Sequence, residues 1–189
     1  MPLLQIVTVA TRQGRKGPGV ATWFEQVARA HGGLEVEVVD LGALALPLFD
    51  EPGHPRLRRY TQAHTKAWSA IVERSDAFVF VAPEYNHHAA PSLINTIDYL
   101  VHEWAYKPAG FVSYGGISGG IRAVQSIKPM LSGLKMVPIV EAVVIQMFTS
   151  HLDEAGVFTG TDTLAAAART MLDEILRWER ALRVLRTPA

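Results

Sequence analysis

Ala77-Phe78-Val79-Phe80-Val81-Ala82-Pro83-Glu84-Tyr85-Asn86 is the stretch on which the fold turns. Its first six residues form an unbroken apolar run too short for a helix, which suits a central parallel strand covered on both faces. Pro83 then ends the run, and a loop is predicted from Pro83 to Ala90. Glu84, Tyr85, Asn86 and His87 leave the strand there with side chains that can donate, accept and stack.

Outward from this strand, apolar runs alternate with stretches of helical period. Leu3–Val9 reads as a strand, and Val20, Trp23, Phe24 and Val27 mark a helix over about 20–30. Leu34–Val39 is a second strand. Prolines 47, 52 and 55 break residues 44–59 into a loop, and a helix is predicted over 60–74. Pro91 is placed to open a helix with the apolar stripe Leu93, Ile94, Ile97 and Leu100. Strands at 107–113 and 138–145 flank a helix over about 121–131; 146–160 is an irregular connector, and 163–185 forms a last helix. Strands separated by helices imply an α/β chain with a parallel sheet and helices on both faces. Ligands bind such sheets at the carboxyl ends of the strands, so the loops after the first, third and fourth strands are the candidate site.

The bulk of the 189-residue sequence sets limits. One domain over residues 1–189 is expected, 49% hydrophobic and large enough to bury a core. Eighteen basic residues balance eighteen acidic ones, which speaks against a nucleic-acid clamp and against a carrier that docks through a strongly acidic face. There is no cysteine, which excludes disulfides, thiolate nucleophiles and Cys-ligated metals and fits a reducing compartment. No secretory signal or membrane span is read, so a cytoplasmic address is expected. Adjacent His87 and His88 are poorly spaced for one metal ion, and no metal site is expected. Ser113 lacks the G-x-S-x-G elbow of a hydrolase. The arginines of the last helix alternate with Glu174 and Glu179 as on a solvated face, while Trp178, Leu182 and Leu185 suit core or subunit contacts.

The loop after the first strand reads Ala10-Thr11-Arg12-Gln13-Gly14-Arg15-Lys16-Gly17-Pro18-Gly19. It is neither a Walker A loop nor a GxGxxG fingerprint. It does place a free helix N-terminus beside a hydroxyl and three cationic side chains, a combination suited to a phosphate group. Thr11, Arg12 and Arg15 are the expected side-chain contacts, and Gly14, Gly17 and Gly19 the expected backbone donors.

Four stretches together resemble one family. Pro83-Glu84-Tyr85-Asn86 followed by Pro91-Ser92-Leu93-Ile94-Asn95-Thr96-Ile97-Asp98 resembles the P-E-Y-N…P-x-x-L-K-N-A-I-D signature of NAD(P)H-dependent FMN reductases. The first loop is similar to that family's phosphate loop, Leu46-Pro47-Leu48-Phe49-Asp50-Glu51 to its L-P-L-x-D-E segment, and Ser113-Tyr114-Gly115-Gly116 to its S-Y-G-G loop. Val9-Ala10 and Ile94 depart from the family's Gly-Ser and Lys, so one phosphate hydroxyl is missing.

The resemblance implies a flavodoxin-like three-layer sandwich with a five-stranded parallel sheet in the order 2-1-3-4-5. It implies FMN as cofactor, NAD(P)H as co-substrate and a small-molecule acceptor such as a quinone, free flavin or azo compound, reduced by ping-pong hydride transfer. The flavin's N5 would carry the chemistry, so no side chain is named as catalytic. Contacts to FMN would come from Thr11, Arg12, Arg15, Gly17, Gly19, Pro83, Glu84, Tyr85, Asn86, His87, Ser113, Tyr114, Gly115 and Gly116. A homodimer or dimer of dimers is also implied, with no nucleic-acid or membrane partner. A flavodoxin-type electron carrier and a flavin-less binding protein on the same fold stay open as alternatives.

Overall fold

A computed structural model describes residues 1–186; the last three residues of the expected 1–189 domain lie outside the described residues. The elements follow in the order β1 (Leu3–Thr8), α1 (Gly17–His31), β2 (Glu35–Asp40), α2 (Leu41–Leu44), α3 (Ala63–Glu73), β3 (Ala77–Tyr85), β4 (His88–Ala89), α4 (Pro91–Asp98), β5 (Pro108–Tyr114), α5 (Ile121–Gly133), β6 (Val137–Ile145) and α6 (Asp162–Arg186). Five strands pair in parallel in the order β2-β1-β3-β5-β6. Counted among themselves these are 2-1-3-4-5, the flavodoxin-like order. The sixth strand, β4, is a two-residue return antiparallel to the end of β3.

The apolar run divides its side chains between two cores because successive residues of a strand face opposite ways. Phe78 and Phe80 pack with Trp68, Trp104, Leu93 and Ile97 from the α3 and α4 side. Val79 and Val81 pack with Phe24 of α1 and with Met171, Leu172 and Ile175 of α6. Phe78, Val79, Phe80 and Val81 are fully buried. By area-transfer estimates, each such side chain contributes about 1.5–3 kcal/mol. This sandwiching fixes the register of β3 and hence the position of everything at its carboxyl end.

The predicted loop at 83–90 is revised. β3 continues through Pro83 and Glu84 to Tyr85, and a two-residue hairpin returns the chain. Pro83 is tolerated because it lies two residues beyond Val81, whose carbonyl accepts the Val9 N–H at 3.1 Å. A donor at Pro83 would face the same side, where β1 has already ended. Asn86 and His87 hold φ values of 51° and 65°, as a hairpin turn of type I′ requires. The first part of the predicted 44–59 loop also differs: Asp40 accepts the Gly42 N–H at 2.9 Å and caps the short helix α2. The helix predicted over 60–74 starts later, at Ala63.

Candidate functional site

The first loop is anchored at both ends. The Val9 carbonyl accepts the Ser92 hydroxyl at 2.7 Å, which ties the exit of β1 to the start of α4. At the far end, the Gly19 and Val20 N–H groups both donate to the Lys16 carbonyl, at 3.1 and 3.5 Å. Among the described residues, the N–H groups of Thr11, Arg12, Gln13, Gly14, Lys16 and Gly17 make no hydrogen bond. Gly19 is therefore corrected as a donor, since its N–H is already engaged by the helix start, whereas Gly14 and Gly17 remain available.

The two arginines separate. Arg12 is exposed and, among the described residues, has no ion pair. Arg15 turns away from the loop's open side. Its Nη2 donates to Asp40 Oδ2 at 2.7 Å, and its Nη1 donates to Asp40 Oδ1 and, at 2.9 Å, to the Ala10 carbonyl. Burial pushes the Asp40 carboxyl up, but hydrogen bonds from Arg15 and the Gly42 N–H carry it net below its ordinary value. Arg15 is thus a strut from the loop to β2. Asp40 is its unforeseen partner, and the guanidinium lies in the space that a side chain at Gly42 would take, so a Cβ there would displace it. The sequence hid this pairing, since 25 residues separate the two.

The hairpin places Tyr85 directly opposite His88. Cross-strand partners lie side by side on one face. A cleft of about 1030 Å³ opens there, lined by Arg12, Tyr85, Asn86, His88, Leu48 and Ile94 among others. His88, not His87, lines it; His87 occupies the second position of the turn. A smaller hollow of about 420 Å³, lined by Thr11, Gly42, Leu46 and Ser92, adjoins it and shares Leu48, Pro91 and Asn95.

Glu84 lines the cleft as well, with its carboxylate engaged within the protein. Its carboxylate accepts from Ser118 Oγ at 2.8 Å, from the Arg122 N–H at 3.1 Å and from Arg122 Nη1 at 3.0 Å. Burial raises its pKa, and these donors together bring it below its ordinary value. The side chain ties the hairpin to the first turn of α5, where the helix dipole favours an anion.

The S-Y-G-G loop contributes less than expected to either cavity. The Ser113 side chain is fully buried, and among the described residues its Oγ has no hydrogen-bond partner. Pro83 is buried too. Gly115 has both backbone groups engaged: its N–H donates to Ile145 at 3.2 Å, and its carbonyl accepts from Phe148 at 2.9 Å. Among the described residues the Gly116 N–H has no partner, while its carbonyl accepts from Gly119 and Met147. Tyr114 is 7% exposed, and its ring packs on Phe148 with centroids 5.0 Å apart.

The opposite wall was not read as part of the site, although its residues fall in two of the quoted motifs. Leu48 is 83% exposed on a firmly held segment. Asn95 clasps that segment by donating to the Pro47 carbonyl at 2.7 Å and accepting the Phe49 N–H at 2.9 Å. The Tyr99 hydroxyl adds a bond to the Pro47 carbonyl at 3.1 Å, and His64 Nε2 pairs with Asp50 at 2.8 Å.

Comparison with known proteins bears on this arrangement. The model of the family described as NADPH-dependent FMN reductase matches residues 4–150. The chain is 40% identical over 137 residues to an NAD(P)H-dependent FMN reductase of Schizosaccharomyces pombe, covering 71% of this chain and 68% of the relative. It is 30% identical over 159 residues to an NAD(P)H-dependent FMN reductase of a Nectria species, covering 81% of this chain and 79% of the relative. Among solved structures, the flavoenzyme NAD(P)H:(acceptor) oxidoreductase FerB of Paracoccus denitrificans superposes with a TM-score of 0.76 at 20% identity, over 96% of this chain and 98% of that one.

Proposed function

Because the chain belongs to the NADPH-dependent FMN reductase family, and is thereby an NAD(P)H-dependent flavin oxidoreductase, we propose that Thr11, Arg12 and the free N–H groups of 11–17 hold the FMN phosphate while Tyr85 and Asn86 border the ring. The observation that carries this reading is the unpaired donor set of the first loop beside the cleft floored by the β3–β4 hairpin. A phosphate monoester carries close to two negative charges at neutral pH. A guanidinium, a hydroxyl and several orphan N–H groups at a helix start match it in charge and in hydrogen-bonding sense. The space beside Gly14 and Gly116 is open, since a Cβ on either would meet no atom within 4 Å.

When bound, FMN supplies the two-electron carrier, and the protein supplies binding and orientation. Arg12 and Thr11 anchor one end. Tyr85, Asn86 and His88 frame the open cleft, and Leu48 and Ile94 give its far wall an apolar surface suited to a flat acceptor such as a quinone, free flavin or azo compound. No side chain is required to move a proton.

The chain acts as one unit in this reading, as a homodimer or dimer of dimers in the cytoplasm. The apolar rim of Leu48 and Phe49 beside the cleft supports a second copy, and light scattering tests it. No described helix is long and apolar enough to cross a membrane. The function itself is tested by the visible absorption spectrum of the FMN-supplemented protein and by NADPH oxidation with and without a quinone. A protein that is colourless once unbound flavin has been removed after FMN addition refutes the reading.

A further inference from the structure

We infer that the Tyr114 hydroxyl, rising from the end of β5 beneath the start of α1, is a donor of the phosphate seat and takes the place of the hydroxyl that Ala10 lacks. The inference rests on the FMN reading above, and it moves Tyr114 from the S-Y-G-G loop's expected place at the pyrimidine end to the phosphate end.

Three observations carry it. First, the side chain is 7% exposed, and among the described residues its Oη makes no hydrogen bond. The ring is buried, but the hydroxyl is not among the fully buried unpartnered oxygens; it keeps access to the surface and is left free to donate to a ligand at the helix start.

Second, the hydroxyl is aimed at the helix start. A Cβ placed on Gly17 would lie 2.9 Å from Tyr114 Oη, 3.3 Å from the Ala10 Cβ and 3.3 Å from Thr8 Cγ2. The absence of a side chain at Gly17 therefore lets the Tyr114 hydroxyl, and the Ala10 methyl group that stands where the family carries a serine, approach the helix start closely beside the free Gly17 N–H. Arg12, Arg15 and Tyr85 all lie close enough to Tyr114 to act on it electrostatically, and burial pushes its pKa up, so it remains a neutral donor.

Third, the ring is held in place. Tyr114 packs on Phe148, Phe148 stacks on Phe158 with centroids 5.8 Å apart and planes 4° apart, and Phe158 meets Trp23 of α1 edge-on at 5.5 Å. This aromatic train links the end of β5 to the body of α1, so the hydroxyl's position is fixed relative to the helix it serves. The connector at 146–160 is thus part of the seat's support.

The test is a fluorescence titration of the flavin-free full chain with FMN and, separately, with riboflavin, which lacks the phosphate. Tyr114→Phe removes one oxygen and keeps the ring stack. A hydrogen bond to a charged group corresponds to about a tenfold or greater change in Kd. The expected result is that loss for FMN with riboflavin unchanged, and partial recovery of FMN affinity in the Ala10→Ser/Tyr114→Phe double variant. Gly17→Ala, whose added methyl group would push against the Tyr114 hydroxyl, is expected to show the same FMN-only loss. Equal weakening of FMN and riboflavin, or unchanged FMN affinity in a Tyr114→Phe protein with wild-type melting, overturns the inference. Wild-type protein that binds FMN no more tightly than riboflavin overturns the phosphate seat itself, an outcome visible before any variant is made.

Discussion

Arg12 and Arg15 stand three residues apart with the same side chain, yet the structure predicts opposite consequences for their removal. Arg12→Ala deletes an exposed guanidinium that braces nothing in the fold. A charge-assisted contact to phosphate from an exposed arginine is worth about 1–2 kcal/mol, a roughly five- to thirtyfold rise in the FMN Kd. Part of that loss should vanish in high salt, where the exposed contact is screened. Arg15→Ala deletes two bonds to Asp40 and one to the Ala10 carbonyl, with the paired side chains 23% and 30% exposed. Removing one partner of a half-buried pair costs about 1–2 kcal/mol of stability, a fall in Tm of about 2–8 °C for a chain of this size. Thermal melting without flavin, paired with FMN titration at low and high salt, resolves the two. The assignment is refuted if Arg12→Ala leaves FMN affinity unchanged, or if Arg15→Ala weakens FMN as much as Arg12→Ala while melting like wild type.

Other consequences are open to measurement. His87→Gly should raise stability by about 0.5 kcal/mol or more, because glycine adopts a φ of 65° without the cost a side chain bears there; a lower melting temperature would show that the imidazole contributes contacts outweighing its strain. Burial pushes Glu51 up, but the N–H and hydroxyl of Thr61 and the N–H of Gln62 lower it to about 2. Its stabilisation is therefore complete above its ordinary value of 4.5 and is lost as pH falls towards about 2. The deficit of Glu51→Gln relative to wild type should close across that window, and a pH-independent deficit would refute the assignment. Burial lowers Lys107 to about 8, while its Nζ donates to the Val72 and Glu73 carbonyls at the end of α3, at 2.7 and 3.0 Å. Between pH about 8 and its ordinary 10.5 the unfolded chain holds a proton that the folded chain has released, so wild-type stability relative to Lys107→Met should rise across that interval in chemical denaturation. A flat difference would show the amine to be solvated.

Much of the fold was legible because it depends on local pattern. The run from Ala77 to Ala82 could be buried on both faces only in a central strand, and the apolar stripe after Pro91 could serve only a helix. Pro83 misled for an instructive reason. Read alone it ends a strand, and whether its missing N–H matters depends on where the neighbouring strand stops, which is a property of β1 and not of Pro83.

The sequence by itself determined the alternation of strands and helices, the sheet edge at which ligands bind, the cationic first loop and the polar residues that follow the central strand, and family-like motifs along most of the chain. Only the tertiary structure decided which members of those motifs line a cavity and which are engaged within the protein. It turned Arg15 to Asp40, Glu84 to Arg122 and Ser113 into the interior, brought Leu48 and His88 to the cleft, and set the Tyr114 hydroxyl beneath Gly17. The physical reason is one of range. Strand and helix patterns are written in neighbours two to four residues apart, whereas the partner of a polar side chain is chosen by distance in space, across separations from 25 residues for Arg15 and Asp40 to 97 between Gly17 and Tyr114 (114 minus 17).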